Sequence, residues 1–177
     1  MGERNAKRST KRIRTSMIVL TWVVAFVLLV YFFTYILKRQ QNPNMHPVSM
    51  TTAKGVKQVT LKANNYHSFY VDGLINKHPV TFLLDTGATN VAIPSQLNTR
   101  LGLPQGAQVT VQTASGQALA YQTRIRTIMI GNIKLMNIKA TLNPAFKANY
   151  VLLGMNALKQ LEFIHKGNTL ILRQNPR

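Results

Sequence analysis

Asp85 stands where an apolar strand ends. Phe82-Leu83-Leu84 runs straight into Asp85-Thr86-Gly87, followed by Ala88-Thr89. Only four residues of the chain are acidic: Glu3, Asp72, Asp85 and Glu162. A carboxylate at the mouth of a buried strand is costly to desolvate unless donors or a shared proton compensate it. Chemistry is a common reason for such a cost. By itself Asp-Thr-Gly also fits an Asx-type turn at a strand end, so the tripeptide alone leaves both readings open. Other chemistries find little support. The chain has no cysteine, which removes thiol nucleophiles, thiolate metal sites and disulfides. His46, His67, His78 and His165 lack the spacing of a zinc site. No Gly-x-Ser-x-Gly elbow and no phosphate-binding loop occur.

Two further segments narrow the choice. Val151-Leu152-Leu153-Gly154-Met155-Asn156-Ala157-Leu158 is an apolar pair, a glycine and a short helical run. Between it and Asp85 lies Thr113-Ala114-Ser115-Gly116-Gln117, the tip of a hairpin-like stretch. In order and spacing, Leu83-Leu84-Asp85-Thr86-Gly87-Ala88-Thr89 and these two segments resemble one half of a retropepsin-like aspartic protease. The resemblance covers roughly residues 60–177. It extends to bacterial single-pass membrane proteins that carry one such domain.

The resemblance implies peptide hydrolysis by two carboxylates that share a proton. One activates a water as general base while the other donates to the carbonyl oxygen. Two acids about 3 Å apart cannot both ionise, so their titration belongs to the pair. This chain holds one acid in the motif. Asp72 precedes Gly73 without a Thr-Gly, and Glu162 follows the closing helix, so neither sits in a second copy. If Asp85 is catalytic, its partner is Asp85 of a second chain, and a two-fold homodimer completes the site. The resemblance then gives the neighbours their roles. Thr86 would hydrogen-bond across the two-fold axis. Gly87 would let the backbone approach the water and present an N–H to Asp85. Ala88 would sit beside substrate. Ala114, Ser115 and Gly116 would form a flap that closes over a bound peptide. Leu153-Gly154 would pack beneath the active-site loop. No metal or organic cofactor is implied.

The elements that must carry these residues can be read along the chain. Met17 to Leu37 is an uncharged run long enough to cross a bilayer as a helix, with Trp22, Tyr31 and Tyr35 towards its ends. A cleaved signal peptide fits less well, because the run is long and Lys38-Arg39-Gln40-Gln41 follows it in place of an Ala-x-Ala-like site. Residues 1–16 carry Arg4, Lys7, Arg8, Lys11, Arg12 and Arg14. Their charge places this flank in the cytoplasm and the remainder of the chain outside, in the periplasm of a Gram-negative cell. Residues 38–58 hold Pro43, Pro47 and Gly55 among polar residues and show no apolar periodicity, which reads as a flexible tether.

From residue 59 onward, short apolar runs alternate with turn residues. Strands are expected at 59–61, 68–74, 80–84, 91–94, 108–113, 118–122, 123–130, 133–135, 138–142 and 151–153, with a last hairpin turning at Lys166-Gly167-Asn168. Ser95 is expected to cap a short helix to Leu101, and Asn156 another to Leu161. The expected fold is mostly β: a retropepsin-like acid-protease half-barrel over 59–177, with one or two short helices, behind one transmembrane helix.

The formal charge of +18 is spread over the flank and scattered positions and is not gathered on one face. It reads as a cytoplasmic flank and a solvated surface, with no nucleic-acid partner. The expectation is thus a homodimeric aspartic endopeptidase of the inner membrane, anchored through residues 17–37, with a peptide or protein substrate outside the cytoplasm. The competing expectations are a catalytically silent peptide-binding or scaffolding module of the same fold, and a monomeric interaction platform.

Overall fold

Residues 3–41 form one helix, α1 (Glu3–Gln41), in a computed structural model that describes residues 3–113 and 116–176. Within it, Ser16–Gln41 has a mean hydropathy of 2.5 over its most apolar window and is long and apolar enough to cross a membrane. Its large apolar side chains from Met17 to Leu37, all but the half-buried Ile36, are exposed, as expected of a helix that needs an apolar solvent. The chain divides into two units at Gln40/Gln41, and the second unit holds every strand.

Among the described residues, eleven strands build the second unit. β1 (Val48–Thr51), β2 (Lys57–Lys62), β10 (Glu162–Lys166) and β11 (Thr169–Gln174) make an antiparallel four-stranded sheet in the order β1-β2-β11-β10. The other seven are β3 (Tyr70–Ile75), β4 (His78–Leu84), β5 (Val91–Pro94), β6 (Gln108–Thr113), β7 (Gly116–Ile130), β8 (Ile133–Asn143) and β9 (Val151–Leu153). They follow the order β3-β4-β9-β5-β8-β7-β6, and β3 also pairs with β7 through Leu74–Met129 and Ile75–Ile128. That extra pairing joins the sheet to itself and leaves β6 as an arm folded along β7. Two short helices, α2 (Asn98–Leu101) and α3 (Met155–Leu158), complete the unit.

Val59, Leu61, Val71, Ile75, Phe82, Ile93, Ile125, Ile128, Leu153 and Leu172 are among the fully buried core residues. They are branched or aromatic side chains on the strands, which pack well on a pleated surface. Gly73 sits where a Cβ would stand 2.3 Å from the carbonyl oxygen of Met129 and 2.9 Å from the Phe82 ring. Glycine is what permits β3, β4 and β7 to close on one another there.

Four local expectations are revised. The stretch 38–58 is not a free tether. α1 runs on to Gln41, Asn42 and Asn44 are buried, and β1 pairs with β2 from Val48–Thr60 to Thr51–Lys57. Hydrogen bonds decide this, and apolar periodicity carries no trace of them. Asn44 donates through Nδ2 to the carbonyls of Lys62 (2.9 Å) and Tyr70 (2.6 Å), and its Oδ1 accepts from Lys62 N–H (2.7 Å). Asn42 Nδ2 donates to Asp72 Oδ1 at 2.7 Å, where Thr81 Oγ1 also donates at 2.7 Å. Ser95 does not cap a helix. It opens a 3-10 turn, Ser95–Leu97, that leads into α2, and its hydroxyl is buried without a partner among the described residues. Asn156 lies inside α3, whose N-cap is Gly154, and its side chain bridges strands instead. Finally, residues 118–122 and 123–130 belong to one 15-residue strand, β7, that runs from the hairpin into the main sheet.

Candidate active site

β4 and β9 run parallel in the register Phe82–Val151, Leu83–Leu152 and Leu84–Leu153. The ladder continues one step further, as Asp85 N–H donates to the Leu153 carbonyl at 3.2 Å. The backbone then turns sharply. Gly87 N–H donates to Asp85 Oδ1 at 2.9 Å, and Ala88 N–H to the Asp85 carbonyl at 3.3 Å. The carboxylate is therefore oriented by its own loop, and it is half-buried. A Cβ on Gly87 would lie 3.3 Å from Asp85 Oδ1, so any side chain there would press on the carboxylate. Thr86 and Gly87 are exposed, and Ala88 is half-buried.

The loop is tied down from beneath. Met155 N–H donates to the Ala88 carbonyl (2.8 Å), and Asn156 N–H to the Thr89 carbonyl (3.0 Å). Asn156 Oδ1 accepts from Val91 N–H at 3.1 Å, while its Nδ2 donates to the Lys139 carbonyl at 2.6 Å. Asn156 of α3 thus links the loop through its backbone N–H, and β5 and β8 through its side chain. Sequence reasoning took Asn156 for a helix cap. The signal that it does more is its place directly after Leu153-Gly154-Met155, where the chain passes under Asp85.

The hairpin of β6 and β7 faces this floor. Thr113 pairs with Gly116, and Thr113 Oγ1 donates to the Gly116 carbonyl at 2.7 Å. Gly116 has φ +108°, a conformation that L side chains rarely adopt. Ala114 and Ser115, expected at the hairpin tip, lie outside the described residues.

A cleft of about 1060 Å³ lies between hairpin and floor. Asp85, Gly87, Ala88 and Thr89 line it from the loop, Thr110 to Thr113 and Gln117 from the hairpin, and Asn143, Ala145 and Phe146 from the end of β8 and the segment after it. Of the expected site residues, Asp85, Gly87 and Ala88 thus share one cleft. Thr86 and Gly116 do not line it. Phe146 escaped the sequence reading. An aromatic residue in Asn143-Pro144-Ala145-Phe146 was the available sign. Tyr150 props it, with edge-to-face rings 5.6 Å from Phe146 and 5.4 Å from Tyr70. Burial, and then the adjoining Tyr150, raises the Tyr70 phenol above its usual pKa, so Tyr70 keeps its proton. Among the described residues, no three His, Asp or Glu side chains gather as a metal-binding group.

This arrangement agrees with what the chain resembles among known proteins. A protein of Sinorhizobium sp. described as an uncharacterized protein in the cobV 5′ region is 33% identical over 118 residues, or 65% of this chain. The chain spans about half the length of that relative, 51%. The crystal structure of a retropepsin-like aspartic protease from Rickettsia conorii superposes with a TM-score of 0.56 at 22% identity, covering 72% of this chain and 94% of that one. The family profile described as gag-polyprotein putative aspartyl protease matches residues 71–160, from β3 through α3, and so includes Asp85, the hairpin and Gly154. With that profile covering just over half of its 177 residues, the chain belongs to this aspartyl protease family and carries the retropepsin-like fold.

Proposed function

We propose that the protein is a membrane-anchored, homodimeric aspartic endopeptidase whose water is activated between two Asp85 carboxylates, one from each chain. The observation that carries this reading is the cleft itself. Asp85 is the one acidic side chain among the described residues that line it, and it lies opposite a hairpin able to cover a peptide. One carboxylate cannot serve as base and acid in the same step. The exposure of Thr86 and Gly87 leaves the loop open for a second copy to complete the pair. In the dimer the two acids share one proton. The ionised one takes a proton from the water as it attacks the peptide carbonyl. The protonated one donates to the carbonyl oxygen. Gly87 N–H, already bonded to Asp85 Oδ1, holds the carboxylate in place. Thr86 hydroxyls would join the two loops across the axis. Substrate would lie extended beneath the hairpins, bound through its main chain, with Ala88 and the hairpin residues Ala114, Ser115 and Gly116 beside it. Ser16–Gln41 would anchor the chain in the inner membrane, with the protease unit in the periplasm.

Asp85→Asn tests the reading, because it keeps size and most hydrogen bonds while removing base and shareable proton. The variant is expected to fold, dimerise and lose peptide cleavage. Mixed at fixed total concentration with exchanging wild-type chains, it is expected to leave activity proportional to the square of the wild-type fraction. A straight line under demonstrated exchange would mean that each chain works alone, and the shared-carboxylate mechanism would have to be abandoned.

A further inference from the structure

Beside the catalytic cleft lies a second groove of about 610 Å³. The two share the walls Asn90, Thr110, Val111 and Thr141, so the groove adjoins the cleft. Arg124 and Lys139 line the groove, and none of its lining residues is acidic. These two residues are direct cross-strand partners on β7 and β8, and both are exposed. Like charges opposite one another destabilise a sheet, and a neighbouring acid normally relieves them. In this chain acids are scarce and two are engaged elsewhere. Asp72 accepts from Asn42 and Thr81, and Glu162 accepts from Asn175. Arg124 is also held in place, because its Nη1 donates to Asn137 Oδ1 at 2.6 Å. Asn137 itself adopts φ +59°, a turn-like backbone that interrupts the β7–β8 ladder opposite Arg126. A guanidinium has five donors, so that bond leaves it able to grip a carboxylate as well.

We infer that this groove is a specificity subsite for an acidic side chain of the substrate peptide, several residues from the scissile bond, with Arg124 and Lys139 as the residues that select it. The inference rests on the endopeptidase reading and deepens it. The substrate class becomes extended peptides with a Glu or Asp at one set distance from the cleaved bond. Selection acts mainly through binding, so it appears in KM more than in kcat.

The test uses the full chain in detergent and amidated peptides that differ only in Glu, Gln or Lys at successive positions around a cleaved bond. At one position Glu is expected to be preferred over Gln by about two- to five-fold in kcat/KM, the range open to exposed charge pairs. The preference is expected to shrink in roughly 0.5 M salt. Lys139→Glu is expected to reverse it towards Lys at that same position, and Arg124→Gln to weaken it. Lys166→Gln removes an equal charge from β10, away from the groove, and is expected to leave the ratio unchanged. The same peptides are also measured for binding to Asp85→Asn, which needs no turnover. Equal cleavage and equal binding of Glu and Gln peptides at every position would overturn the subsite, as would an unaltered Glu preference in Lys139→Glu. Glu-dependent binding without Asp85-dependent cleavage would overturn the endopeptidase reading and leave the groove standing.

Discussion

A single methyl group at position 154 would collide with backbone. A Cβ there would stand 2.4 Å from the carbonyl oxygen of Asn90 and 2.8 Å from that of Ala88. Neither atom sits on a flexible side chain, so the chain itself would have to move. The strands nearest the collision hold Asp85, since β9 supplies the carbonyl that accepts its N–H. Gly154→Ala is therefore expected to destabilise the fold by about 1–3 kcal/mol, the usual cost of overpacking. Its melting temperature should fall by roughly 5 °C or more. Activity should fall further than stability explains, because Met155 N–H and Asn156 N–H both bond to the active-site loop from this point. A thermal melt beside a peptide-cleavage assay checks both, and an unchanged melt would show that the loop yields without cost.

Among the elements, the segment between α1 and β2 behaves least like its composition. Its asparagines and prolines suggest a solvated linker, yet Asn42 and Asn44 are buried and bonded to backbone and to Asp72. Asn44→Ala would leave the Lys62 N–H and the Lys62 and Tyr70 carbonyls short of partners. An unsatisfied buried group costs about 1–3 kcal/mol. The variant is expected to unfold at lower denaturant and to be cut sooner by trypsin around Lys54, Lys57 and Lys62. Equal trypsin protection in variant and wild type would mean that the segment is held by β1 alone. The β6–β7 hairpin shows the opposite behaviour. Residues 108–113 and 118–122, flanking Ala114-Ser115-Gly116-Gln117, mark it as a hairpin in the sequence, and β6 pairs with β7 from Gln108–Tyr121 to Thr113–Gly116.

For the whole molecule, the sharpest expectation concerns orientation. The basic residues before Met17 outnumber those just after Leu37, where Lys38 and Arg39 stand. The positive-inside rule therefore predicts that the β unit is outside the cytoplasm. In intact spheroplasts, added protease is expected to degrade residues beyond about 40 and to spare the N-terminal flank. Protection of the β unit would reverse the assignment. A common membrane would also raise the effective concentration of two anchored chains, so dimerisation and activity should weaken on dilution once the anchor is removed.

The sequence by itself determined what local chemistry can specify. An uncharged run sets a membrane-length helix, alternation sets most strands, and Asp85-Thr86-Gly87 before a hairpin turning at Gly116 and before Leu153-Gly154 identifies the family fold. Each of these signals lies within a few adjacent residues. The tertiary structure alone decided what depends on partners far along the chain. Asn156 joins Val91 and Lys139, 65 and 17 residues away. Asn44 joins Lys62 and Tyr70, and Phe146 enters the cleft from a loop with no periodic pattern. Arg124 and Lys139 become neighbours only through the β7–β8 register. A polar side chain has several donors and acceptors and no fixed period, so its role is set by whichever backbone groups folding brings to it. An apolar side chain needs only a face to bury, and that face is already written in the spacing of its neighbours.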